Sequence, residues 1–173
     1  LQKGVLSGRV SVKGALDKFS HQLDLRLGGG AVRTEGTVVR AAGDKLDLDL
    51  NGTIRKFDLD MLSAFGLPVW AGMVNAEFKI NGTDLLTPER SGVLELAVGD
   101  SRFDRYVLNQ GRLRLLLDSG TLSVERLDLK TSMGNAVVEG SLAGFFDTKK
   151  EKTIYAKTKL SHLDLSQLSN RKD

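Results

Sequence analysis

The chain has 173 residues, 40% of them apolar and 27% charged, with 19 Gly, 2 Pro and no Cys. That length suits one medium domain, and the lack of Cys excludes a disulfide scaffold and zinc thiolate sites while leaving the compartment open. The 25 basic and 22 acidic residues give a net charge of +3, but the signs are mixed along every segment and aromatics are few, which argues against a nucleic-acid surface.

Alternation with period two runs through most of the chain, and it predicts strands with one apolar and one wet face. Leu6, Val10 and Val12 alternate with Ser7, Arg9, Ser11 and Lys13, and Leu23, Leu25 and Leu27 alternate with Asp24 and Arg26. Gly28-Gly-Gly30 reads as a hairpin turn into a strand with Val32 and Val38 on one parity. It is not a phosphate cradle, because no helix follows it. Leu46, Leu48 and Leu50 alternate with Asp47 and Asp49. Asn51-Gly-Thr53 and Asn81-Gly-Thr83 have the form of glycosylation acceptors, but read first as turn signals at strand ends.

Phe57-Asp-Leu-Asp-Met-Leu-Ser-Ala-Phe-Gly-Leu-Pro68 breaks the pattern. It predicts a short helix near residues 58–65, with Asp58 or Asp60 as cap and Met61, Leu62 and Phe65 on one side, ending at Gly66. So short a helix must lie on a sheet to persist. Alternation resumes with Val74, Ala76, Phe78 and Ile80 against Asn75, Glu77 and Lys79. Thr83 to Ser91 is long enough to cross to another position in the sheet. Leu94 and Leu96 follow, then Leu113, Leu115 and Leu117. The parity changes at Glu125-Arg126, which demands a bulge if one face is to stay apolar. Ala136, Val138 and Leu142, then Ile154, Ala156 and Leu160, bring the total to about ten strands. Asp118-Ser-Gly120, Ala42-Gly-Asp44 and Asp147 to Glu151 read as hairpin connections. Such short links suit a mainly antiparallel meander.

Two phrases recur. Gly30-Ala-Val-Arg-Thr-Glu-Gly36 with Phe57-Asp-Leu-Asp-Met-Leu62 is echoed by Asn135-Ala-Val-Val-Glu-Gly140 with Leu163-Asp-Leu-Ser-Gln-Leu168. The expected organisation is a single elongated β domain over 1–173, with a shorter repeat at 1–68 and a fuller one at 69–168, cut from a longer repetitive protein. The chain starts without Met and has no apolar stretch of membrane-span length, so any signal or anchor is expected outside it.

Catalytic signatures are missing, and the chain reads as no enzyme, with no cofactor. His21 and His162, even with Asp24 or Asp164, lack a metal-ligand spacing. Ser20-His21 and Ser161-His162 are neighbours on strands, so the members of each pair face opposite ways and form no nucleophile and base. The Asp-Leu-Asp units lack the glycine-spaced geometry of calcium repeats.

The helical phrase at Phe57 to Leu62, the Leu67-Pro68 exit, the strand Gly72-Met-Val-Asn-Ala-Glu-Phe-Lys-Ile-Asn-Gly82, and the segments Gly111 to Leu115, Gly120 to Leu129 and Gly134 to Gly140, taken in this order, resemble the AsmA and TamB superfamily of Gram-negative envelope proteins. Bridge-like lipid-transfer proteins are its eukaryotic relatives. The resemblance implies a mainly β, curved, mostly antiparallel sheet forming a groove or taco-like half-barrel. It also implies a periplasmic location, an inner-membrane anchor outside this segment, and a role in lipid transfer or outer-membrane biogenesis. Implied partners are phospholipid acyl chains, an outer-membrane assembly protein and neighbouring β repeats of the full-length chain.

On such a sheet the candidate lipid-groove residues are Val10, Val12, Leu23, Leu25, Leu48, Leu50, Phe78, Ile80, Leu94, Leu96, Leu113 and Leu115. The competing reading is a closed sandwich core built from the same side chains. A non-catalytic structural or protein-interaction module assisting outer-membrane protein assembly is the alternative function.

Overall fold

A computed structural model describes residues 6–41, 45–65, 71–104, 106–144 and 152–164. The strands are β1 (Leu6–Gly14), β2 (Lys18–Leu27), β3 (Gly30–Ala41), β4 (Lys45–Asp58), β5 (Gly72–Thr83), β6 (Ser91–Val98), β7 (Ser101–Phe103), β8 (Tyr106–Asp118), β9 (Thr121–Thr131), β10 (Gly134–Ala143) and β11 (Thr153–Ser161). They form one 11-stranded antiparallel meander in the order β1-β2-β3-β4-β5-β6-β8-β9-β10-β11. Short β7 pairs with β5 and β8, prolonging the line of β6. The order does not close on itself, so β1 and β11 are edges among the described residues. This is the mainly β, antiparallel architecture that the alternation predicts.

Local chemistry explains the joints. Gly28 and Gly29 take φ values of 56° and 90° between β2 and β3, a left-handed pair that turns a hairpin at no steric cost. Ser119 and Gly120, at 46° and 89°, do the same between β8 and β9. At Glu125-Arg126 the ladder slips as foreseen. Arg114 opposes Arg126 while Leu115 opposes Val124, so Glu125 is the extra residue of a β-bulge. The bulge keeps Val124 and Leu127 on the same face despite their odd spacing.

The connection from β5 to β6 stays in place instead of crossing, because Thr83 pairs with Ser91 across a hairpin. Its loop folds back on the start of β4. Leu85 donates its amide to the Leu46 carbonyl at 2.9 Å, and the Asp84 amide reaches Asp47 Oδ1 at 3.0 Å. Asn51-Gly52-Thr53 also departs from its reading as a turn, since it lies inside β4, while Asn81-Gly82-Thr83 does close β5. Gly52 is buried, and the ring of Phe78 from β5 covers it where a side chain would otherwise stand. The glycine there serves close packing rather than a turn.

Leu59–Phe65 is helical as expected, but as a 3-10 segment. Asp58 caps it, its Oδ1 accepting the Asp60 amide at 3.0 Å. Leu59 is buried, and Met61 Sδ lies against Gly28 in the β2–β3 turn. The segment therefore lies over the end of the sheet. The side chains of Leu62 and Phe65, like the Ala42 to Asp44 and Asp147 to Glu151 connections and the Leu67-Pro68 exit, lie outside the described residues.

The sheet is a single layer among the described residues. Leu59 and Ala76 are the buried apolar residues, and no side chain falls below 2% exposure. A closed sandwich core therefore does not form here, since two facing layers would bury many side chains completely.

Candidate functional site

The ladder registers gather the apolar positions into rows that cross the strands. One row runs Val10, Leu23, Thr34, Gly52, Phe78, Leu96, Leu113, Leu127. The row beside it runs Val12, His21, Gly36, Leu50, Ile80, Leu94, Leu115, Val124. Ten of the twelve candidate groove residues fall on these two rows. Leu25 and Leu48 fall on the rows flanking them, Leu25 opposite Val32 and Leu48 opposite Val38.

From β2 to β8 the candidates are half-buried. On edge strand β1, Val10 and Val12 are 64% and 61% exposed. Sequence reasoning left out Val32, Ile54, Val98, Leu127 and Leu129 as lining residues, although their alternation was visible. The missing information was register, which puts Ile54 beside Ala76 and Ala76 beside Val98. His21 and Thr34 are the polar exceptions in the apolar rows, and His21 Nε2 lies 3.3 Å from Thr34 Oγ1. His162 sits beyond β11, far along the sheet from His21.

The opposite face is charged. Where the ladders place charged residues directly across from each other, they oppose Arg9 to Asp24, Asp24 to Arg33, Lys79 to Glu95, Glu95 to Arg114, Arg112 to Asp128, and Glu139 to Lys157. Arg33 Nε binds Asp24 Oδ2 at 3.0 Å, and Arg114 Nη1 lies 3.6 Å from Glu95. The like-charge opposition of Arg114 and Arg126 coincides with the bulge. There the extra Glu125 takes Arg114 at 2.9 Å, and Arg126 turns to Asp128 through two hydrogen bonds of 2.6 and 3.1 Å. The hydrogen bond from Arg126 holds the Asp128 carboxyl below its usual range, and that bond also raises the guanidinium. Cross-strand pairs of opposite sign support register, whereas like signs directly opposite oppose it.

The largest indentation found among the described residues, about 1170 Å³, crosses seven adjacent strands from β2 to β9. Each of the strands from β2 to β8 that line it contributes at least three consecutive residues, and in β2, β5 and β8 the middle one is apolar and flanked by polar ones, as in Glu77-Phe78-Lys79. Arg55, Arg126 and Asp128 border it without their apolar neighbours Ile54 and Leu127. Since neighbours on a strand face opposite ways, the indentation opens on the charged face. The sheet is thus curved, and the apolar rows form a broad track across its other face.

Family models, curated proteins and solved structures yield no match to this chain.

Proposed function

We propose that the chain is a lipid-handling module whose apolar rows hold acyl chains, as the resemblance of its motifs to the AsmA and TamB superfamily implies. The observation that carries this reading is an apolar surface that runs over five neighbouring strands, from Leu50 and Phe78 to Val124 and Leu127, with no second protein layer above it among the described residues. Monomeric soluble proteins rarely leave such a surface uncovered. An acyl chain laid across it gains about 0.8 kcal/mol per methylene removed from water. A track that crosses many strands without a closed end suits passage better than selective capture. On this reading the module works in the periplasm, tethered by parts of the protein outside this sequence, and serves outer-membrane biogenesis.

Lipid analysis of the chain purified from a Gram-negative host tests the reading. The expected result is bound phospholipid, lost in Leu96→Glu and kept in Lys79→Glu, whose side chain lies on the other face. A folded protein that carries no lipid and takes up none from vesicles overturns it. The alternative, a structural or protein-interaction module, draws support from the edges of β1 and β11, unpaired among the described residues.

A further inference from the structure

We propose that the edge of β11, unpaired among the described residues, docks one antiparallel β-strand of a partner polypeptide, with carboxylates facing Lys157 and Lys159 and apolar side chains between them. Three observations converge on this. First, the β10–β11 hairpin repeats the geometry of β3–β4. A Cβ added to Gly30 would meet the Lys56 carbonyl at 2.6 Å, and one added to Gly134 would meet the His162 carbonyl at 2.9 Å. Lys56 and His162 both adopt left-handed φ, 48° and 55°. Gly36 abuts Asp49 and Leu50 as Gly140 abuts Tyr155 and Ala156. In this correspondence β11 stands where β4 stands, and β4 is covered by β5.

Second, the uncovered strand keeps the pattern of an interior one. Ile154 and Leu160, on the apolar parity, are 74% and 56% exposed. Third, the charged face specifies the sign of the next residue. Opposite charges face each other across the ladders, and the one like-charge opposition is relieved by a bulge. Lys157 already faces Glu139, and Lys159 faces Val137, so both lysines present positive charge to whatever pairs next. A second copy does not fit. Its β11 offers lysines, and its β1 offers Arg9 and Lys13 on the corresponding face.

Amide hydrogen exchange of the intact chain, followed by NMR with a short peptide of alternating Glu and Val and with its Lys–Val counterpart, tests the proposal. The acidic peptide slows exchange at the β11 amides that β10 leaves unpaired, and binds about tenfold more tightly than the basic one. Lys159→Glu, which faces only Val137 within the sheet, narrows that preference about fivefold. Equal binding of the two peptides overturns the proposal, as does protection confined to β1 or self-association through β11. The comparison of peptides on the unmodified chain stands whether or not the variant folds.

Discussion

The two echoed hairpins, β3–β4 and β10–β11, share glycine contacts and a left-handed exit residue, yet their second strands live in different surroundings. In β4, Leu48 and Leu50 are half-buried between β3 and β5. Their counterparts in β11, Ile154 and Ala156, are exposed, and no described strand pairs on the far side. In a single-layer sheet, burial is thus conferred by the neighbouring strand rather than by a core. The same sequence phrase supplies stability in the interior and an adhesive edge at the end.

The sharpest break of this comparison comes from the paired glycines. Gly36→Val forces a branched side chain into the β4 backbone and is expected to cost about 3 kcal/mol, while Gly140→Val, whose neighbour β11 can shift freely, costs roughly half as much. Urea denaturation of both variants measures the difference, and equal losses would show that the edge is as rigid as the interior. Truncating the half-buried Phe78 to Ala uncovers Gly52 and removes about 2 kcal/mol, against less than about 0.5 kcal/mol for Leu160→Ala on the edge. Replacing Lys56 by Gly relieves a left-handed conformation and raises the denaturation midpoint by the equivalent of about 1 kcal/mol.

The smallest expected effect is one of pH. Asp128 has its folded carboxyl pKa depressed, chiefly by the hydrogen bond from Arg126. Its contribution is present above the ordinary value near 3.8 and is lost as pH falls through the lower folded value. Asp128→Asn should therefore reduce the acid sensitivity of the denaturation midpoint slightly and leave His-range behaviour unchanged. The pair lies at the surface, with Arg126 exposed and Asp128 half-buried, so solvent and salt screen the effect strongly.

Most of the strand pattern was legible, since alternation marks a half-buried strand directly. The odd spacing around Glu125-Arg126 disclosed a bulge because a one-residue slip would otherwise turn Val124 and Leu127 to opposite faces. Asn51-Gly52 misled because the dipeptide resembles a turn, and only register reveals Phe78 lying across it. Three-residue β7 is too short for periodicity to reveal. It is held by Asn75, whose amide donates to Ser101 Oγ at 2.9 Å and whose side chain donates to the Asp100 carbonyl at 2.6 Å. The candidate groove residues were identifiable as apolar strand positions. Their gathering into rows, and the opening of the largest indentation on the charged face, depend on pairing and curvature that no single strand encodes.

The most direct test of the acyl-chain track is photo-crosslinking from single positions one residue apart. A photoreactive amino acid at Leu96 on the apolar face and another at Glu95 on the charged face would each be irradiated with phospholipid vesicles. Lipid adducts at 96 with none at 95 are the predicted result. Adducts at 95 alone, or equal yields at both positions, would contradict the apolar face as the lipid-holding surface.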